Sequence, residues 1–343
     1  MKISFFDTHQ FDKEAFLAAN EKFNLNIEFQ EARLNAKTVP LAQGSNVVCS
    51  FVNDKIDDSC IEKLQALGVR LIALRSAGFN HVDLLSAQRH GIQVARVPAY
   101  SPNAVAEYAT GMLLSLNRNI HRAYVRVREL NFSLDGLVGF NLQKKTIGII
   151  GTGKIGKTFA RIMTSFGCNV LVNDINKDLD LESHPNIQYT DLSSLYGQSD
   201  VISLHLPLTP ETHHLIDHAS IGKMKTGVMI INTGRGALID SKALIEELKS
   251  GKIGGAALDV YEEEENLFFR DLSSKVLQDD ILARLLTFPN VLITSHQAFL
   301  TKEALESIAV TTLENIDDFN KTGAVCEERM VNADCCLKGP NDG

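Results

Sequence analysis

No apolar run in this chain of 343 residues approaches the ~20 residues that a helix needs to cross a bilayer. After Lys2 there is neither a long apolar segment nor a small-residue cleavage site, so no secretory leader is expected. No C-x-x-C pair occurs among Cys49, Cys60, Cys168, Cys326, Cys335 and Cys336. The adjacent Cys335 and Cys336 sit in a polar tail without a patterned histidine, which argues against a zinc site and for reduced thiols. Basic charge is in deficit: the formal net charge is −8, which disfavours nucleic acid or an anionic membrane as the main partner. Solenoid repeats and low-complexity tracts are missing too. These absences leave a soluble, cytoplasmic protein, long enough for two domains.

What is present centres on one stretch, Lys145-Thr-Ile-Gly-Ile-Ile-Gly151-Thr-Gly153-Lys154-Ile155-Gly156. Its apolar run from Thr146 to Ile150 is rich in β-branched residues and predicts a buried parallel strand that must turn into a helix. Gly151 permits the tight turn, Gly153 lets backbone approach a pyrophosphate, and Gly156 lets a helix over 157–166 pack on the sheet. The free N–H groups of that helix would hold the pyrophosphate. A second apolar run, Asn169 to Asn173, ends at Asp174, whose carboxylate suits the ribose hydroxyls of an adenosine. It would repel a 2′-phosphate, so NAD is favoured over NADP, with Lys177 the nearby opposing charge.

Around this centre the chain reads as alternating strands and helices. Strands are expected at 2–6, 46–51, 69–74 and 93–97, with a weaker one near 26–29 and helices over 13–22 and 60–67. They make an α/β unit with its own parallel sheet over residues 1–100. Ser101 and Pro102 then open a helix-compatible stretch running towards Leu130. Its Arg118, Arg122, Arg126 and Arg128 read as a solvated or subunit-facing surface. Further strands near 200–204, 228–231, 255–258 and 291–294 imply a doubly wound sheet in the second domain, residues 101–298. A last helix, 301 to about 320, should return residues 299–343 to the first domain, ending in a mobile tail from Thr322.

Ligands of open α/β sheets bind outside the carboxyl ends of the strands. Three strands there deliver Asn232-Thr233-Gly234-Arg235-Gly236, Asp259-Val-Tyr-Glu262-Glu263-Glu264 and Ser295-His296. Arginine can grip a carboxylate with two prongs and polarise the adjacent carbonyl, histidine can protonate an alkoxide, and a carboxylate can orient and charge that histidine. None of the three needs a metal. Each also has a structural reading: Arg235 as a surface ion-pair partner, Glu262 to Glu265 as a solvated acidic loop, His296 as a capped loop residue. His205, at another strand end, competes for the acid role, and its neighbour Pro207 would wall the adenine or nicotinamide. His213 and His214, in a polar segment, read as exposed loop residues.

Taken together, Arg75-Ser-Ala77-Gly78-Phe-Asn80, Val97-Pro-Ala-Tyr100-Ser-Pro, the glycine loop, Asn232-Thr-Gly-Arg235, Leu258-Asp259-Val-Tyr-Glu-Glu-Glu264 and Ser295-His296-Gln-Ala-Phe299 resemble the NAD-dependent D-2-hydroxyacid dehydrogenases, nearest to the fermentative D-lactate branch. The resemblance implies a Rossmann-type cofactor domain and a flavodoxin-like substrate domain with a cleft between them, and a homodimer or higher homo-oligomer. It assigns substrate binding to Arg235, proton transfer to His296 and its support to Glu264. Asp259 would lie near the nicotinamide, Leu206, Pro207, Thr233 and Gly234 along the cofactor, and the backbone at Ala77 and Gly78, with Tyr100, at the substrate. Glu265 stands where many relatives carry proline. Phe51 and Phe299 would narrow the pocket towards a methyl group, which favours pyruvate and D-lactate. A related dehydrogenase for a larger 2-oxo acid, or an NAD-sensing scaffold or corepressor of the same fold, are the alternative readings.

Overall fold

In the computed structural model, residues 1–264 and 267–333 are described; Glu265, Asn266 and residues 334–343, which include Cys335 and Cys336, lie outside the described residues. The chain divides into two compact units, Met1–Ser101 with the chain from Phe299 onward, and Pro102–Ala298.

The first unit runs β1 (Lys2–Phe5), α1 (Gln10–Asn20), β2 (Asn26–Phe29), β3 (Val47–Ser50), α2 (Asp58–Ala66), β4 (Leu71–Leu74), α3 (Leu84–Arg89) and β5 (Gln93–Ala95). Strands β3 and β4, Val-Val-Cys-Ser and Leu-Ile-Ala-Leu, are buried at every position, as strands covered on both faces must be. Asp57 and Asp83 start the helices after β3 and β4 by accepting the N–H of Cys60 and of Ser86. The parallel strands lie in the order β2-β1-β3-β4-β5, the flavodoxin order.

In the second unit the stretch expected to run unbroken towards Leu130 is two helices, α4 (Pro102–Asn117) and α5 (Ile120–Arg128). Asn119 separates them with φ 52°, a left-handed conformation that asparagine tolerates and that ends helical continuity. There follow β6 (Thr146–Ile150), α6 (Lys154–Ser165), β7 (Asn169–Asn173), α7 (Leu179–Glu182), β8 (Ile187–Tyr189), α8 (Leu192–Gln198), β9 (Val201–Leu204), α9 (His218–Gly222), β10 (Val228–Asn232), α10 (Ser241–Ser250), β11 (Ile253–Leu258), α11 (Asp280–Leu286) and β12 (Val291–Ile293). All seven strands are parallel, in the order β8-β7-β6-β9-β10-β11-β12, which is the Rossmann order with one strand added. Helix α6 starts a turn before the expected 157, so Lys154, Ile155 and Gly156 form its first turn.

From Phe299 the chain belongs to the first unit again, with α12 (Lys302–Thr322), capped by Thr301 and closed by Gly323, and β13 (Met330–Val331). The two-residue β13 pairs antiparallel with β5, an edge that is too short to leave a sequence period. No helix among the described residues is long and apolar enough to cross a membrane.

Candidate active site

Three parallel strands of the second unit end near the residues expected to carry the chemistry. β10 ends at Asn232, whose side-chain oxygen accepts the Gly234 N–H (3.0 Å) and whose amide donates to the Arg235 carbonyl (2.8 Å). That small loop fixes the backbone from which Arg235 projects. β11 ends at Leu258, and the next residue, Asp259, is fully buried. Its carboxylate accepts from the Thr294 hydroxyl (2.6 Å), the Gln297 N–H (2.9 Å) and the Ala298 N–H (2.8 Å), while its carbonyl accepts the His296 N–H (2.7 Å). Asp259 therefore clamps the segment that presents His296. Burial raises its carboxyl above the usual range, against the pull of these hydrogen bonds.

His296 itself has φ 54°, a left-handed backbone costing about 1–3 kcal/mol for a residue that is not glycine. The clamp holds it there. Its Nδ1 donates to Glu264 Oε1 at 2.6 Å, and each side chain is 19% exposed. The Tyr261 N–H donates to the other oxygen of Glu264 at 3.0 Å. Burial pushes the Glu264 carboxyl up, but His296, the Tyr261 N–H and the charge of Arg235 outweigh it, and the group ends below its ordinary range. With Nδ1 engaged, Nε2 is the ring atom left for proton transfer.

The cofactor motif meets its own test of fit. Gly151 has φ +94°, and a Cβ there would strike the His205 carbonyl; a Cβ at Gly156 would overlap the Gly151 carbonyl oxygen. Both positions require glycine, and Gly153 caps α6. At the end of β7, Asp174 accepts the N–H and hydroxyl of Thr152 with one oxygen and the Asn176 N–H with the other, which ties the acid to the glycine loop. Lys177 pairs with Glu182 (3.4 Å) and lies over the Tyr189 ring. The carbonyl of Leu206 approaches Gly234, and the Thr212 hydroxyl donates to the Pro207 carbonyl (2.7 Å). The buried hydroxyl of Thr233 finds no partner among the described residues, a donor left for a ligand. These features fit a dinucleotide.

A family model described as D-isomer specific 2-hydroxyacid dehydrogenase, NAD binding domain, matches residues 110–298, more than half of the chain. The chain belongs to that family. It is an NAD-dependent oxidoreductase. A 2-hydroxyacid dehydrogenase homolog of Haemophilus influenzae is 53% identical over 331 residues, 96% of this chain and 99% of the relative. The D-lactate dehydrogenase of Escherichia coli strain K12 is 51% identical, covering 96% of this chain and all of the relative. The ligand-free structure of an Escherichia coli D-lactate dehydrogenase aligns with a TM-score of 0.87 at 48% identity, over 96% of this chain and all of that one.

For a dehydrogenase of this family, His205 is the weaker acid candidate. It is hydrogen-bonded to Ser203 (2.9 Å), and burial alone lowers it to about 4, so it is neutral at physiological pH. Within the first unit, Phe51 and Phe299 are buried, with ring centroids 6.4 Å apart. Phe299 also meets Tyr100 (6.4 Å) and Phe11 (6.2 Å), and Phe51 meets His9 (5.8 Å). The guanidinium of fully buried Arg75 covers the Phe51 ring at 4.7 Å. Phe11 and His9 have no sequence signal, because nothing in their local pattern separates them from ordinary core residues. The carbonyls of Ala77 and Gly78 are fixed by Arg96 (3.2 Å) and the Ser76 hydroxyl (2.7 Å).

His213 and His214 depart from the expectation of exposed loop residues. His213 is exposed, but His214 is half-buried and its Nε2 lies 2.6 Å from Glu262 Oε1. Its partner is 48 residues away, a separation with no local signature.

Proposed function

We propose that the chain reversibly reduces pyruvate to D-lactate with NADH. The observation that carries the reading is the His296–Glu264 bond with Arg235 close enough to bias Glu264. NAD, when bound, supplies the hydride donor or acceptor. Arg235 binds the substrate carboxylate with two prongs and polarises the ketone. His296 carries a proton on Nε2 for the developing alkoxide and takes it back in the oxidation. Ionised Glu264 accepts from Nδ1–H and fixes the ring. Asp259 positions His296 through the clamp. Gly151, Gly153, Lys154, Ile155 and Gly156 hold the pyrophosphate, Asp174 the ribose, and Leu206, Pro207, Thr233 and Gly234 the remainder of the dinucleotide. The backbone N–H groups at Ala77 and Gly78 and the ring of Tyr100 contact the substrate, and Phe51 and Phe299 limit its side chain to about a methyl group. The working form is a cytoplasmic homodimer. Exposed Tyr124, Val127, Leu130 and Phe132 on and after α5 support an association, and the free cysteines suit a reducing compartment.

The test is NADH consumption with pyruvate, 2-oxobutyrate and a branched 2-oxo acid, with chiral analysis of the product. Pyruvate should have the highest kcat/KM and give D-lactate. NADH should outperform NADPH by at least about tenfold, or ~1.4 kcal/mol, from Asp174. Preference for the branched acid would move the assignment to a larger substrate, and no turnover on any of them would leave the scaffold reading.

A further inference from the structure

The same loop that carries Glu264 also carries Glu262, and Glu262 meets two histidines. One ligand atom from each of His213, His214 and Glu262 lies within 4.8 Å of the others. The two imidazoles are stacked, with centroids 3.9 Å apart, and His214 Nε2 is 2.6 Å from Glu262 Oε1. The groups are held from behind. His213 N–H donates to the Thr209 carbonyl (2.9 Å), closing a turn, and His214 N–H donates to the Ala237 carbonyl (2.8 Å). Beyond it, Ile216 is bridged in parallel to Ile239, so the histidine segment is pinned to the chain that follows Arg235. His214 keeps φ 51° in this setting.

We propose that His213, His214 and Glu262 form a transition-metal site, and that its occupancy slows the dehydrogenase. Two imidazoles and one carboxylate are a donor set for Zn²⁺ or a neighbouring late first-row ion, while Mg²⁺ and Ca²⁺ prefer oxygen ligands. Tetrahedral zinc with bonds of about 2.0–2.1 Å places neighbouring ligand atoms ~3.3 Å apart. To reach that arrangement the two imidazoles unstack and the ligand atoms close in from 4.8 Å by up to about 1.5 Å, with water completing the shell. The cost falls on Glu262, which exchanges its direct bond to His214 for a shared metal. Glu262 is two residues from Glu264, and the residue adjoining it, Tyr261, supplies the N–H that Glu264 accepts. Moving Glu262 by a few tenths of an ångström therefore shifts the support of His296, and catalytic geometry is sensitive on that scale. The binding claim stands apart from the reading of the reaction; only the effect on turnover rests on it.

The test uses full-length protein without an affinity tag, stripped with a chelator. Zinc binding is measured by equilibrium dialysis on the parent, His213→Ala and His214→Gln, and turnover with pyruvate is measured with and without zinc. One zinc per chain should bind the parent at micromolar concentration, at least about tenfold more weakly in each variant, while both variants keep their metal-free kcat within about threefold, the glutamine of His214→Gln retaining a donor for Glu262. Zinc should lower the parent's kcat several-fold with little change in the KM for pyruvate, and His213→Ala should resist it. Absence of zinc binding by the parent, or equal binding by all three proteins, overturns the site. Inhibition that raises the pyruvate KM and persists in His213→Ala would mean that zinc acts at His296 and Glu264 instead, and overturns the coupling. Because dialysis does not depend on activity, a chain inert towards pyruvate would still show whether these three side chains bind zinc.

Discussion

Two histidine–glutamate pairs share one loop of the second unit, and at first sight they are equivalent. His296–Glu264 and His214–Glu262 both close at 2.6 Å, and both histidines have left-handed backbones. Their surroundings differ. Glu264 also accepts the Tyr261 N–H and feels Arg235, whereas among the described residues the second oxygen of Glu262 has only a long contact, 3.5 Å, from the Ser241 N–H. The side chains of the first pair are 19% exposed, and those of the second 32% and 23%. His296 stands on a segment clamped by a buried carboxylate, while His214 stacks on a second imidazole. A short histidine–carboxylate bond therefore does not by itself single out the pair proposed for catalysis. The Tyr261 N–H and the Asp259 clamp distinguish one from the other.

The sharpest break between the pairs is removal of each imidazole. His296→Gln should lower kcat for pyruvate reduction by roughly a thousandfold, within the usual range for loss of a general acid, and His214→Gln should stay within about threefold of the parent in the absence of metal. Steady-state kinetics on chelator-treated protein decides it. Comparable losses in the two variants would mean that the pairs cannot be ranked by their surroundings.

Next comes Arg235, whose charge acts on Glu264 of the first pair. Arg235→Lys keeps the charge but loses the fork, so kcat/KM for pyruvate should fall about a hundredfold, or ~2.7 kcal/mol of transition-state stabilisation, with both kcat and KM affected. A lysine variant of near-parental kcat/KM would make Arg235 a structural residue and remove it from the proposed substrate contacts.

How much of this was legible in the sequence follows from how local each signal is. The strand, glycine loop and acid of 145–174 could be read because every element of that motif lies within one βαβ span, and buried strands such as β4 announce themselves as apolar runs. Arg235, Glu264 and His296 could be placed at one edge because parallel strands all end on the same side. The break at Asn119 was invisible, since both flanking segments are good helix formers and the left-handed turn is a tertiary choice. Glu262 and Glu264 look alike in an acidic run. What separates them is which histidine each one meets, 48 and 32 residues away, and no period or propensity encodes that. The function of Asp259 as a clamp was hidden for the same reason: its partners lie beyond the next strand.

The smallest expected effect tests the two carboxylates against each other. Glu264 is buried, yet the charge and hydrogen bond of His296, the Tyr261 N–H and Arg235 hold its carboxyl below the ordinary range, so it is ionised at neutral pH. Glu264→Gln keeps the size and some hydrogen bonding but removes that charge, and kcat for pyruvate reduction should fall by roughly tenfold, or ~1.4 kcal/mol. Glu262→Gln faces the other histidine and should keep kcat within about threefold in the absence of metal. Both must be measured where hydride transfer limits turnover, which a primary isotope effect with deuterated NADH establishes. If kcat falls equally in both variants, the two pairs act as one unit; if it falls only in Glu262→Gln, the carboxylate that supports catalysis is Glu262.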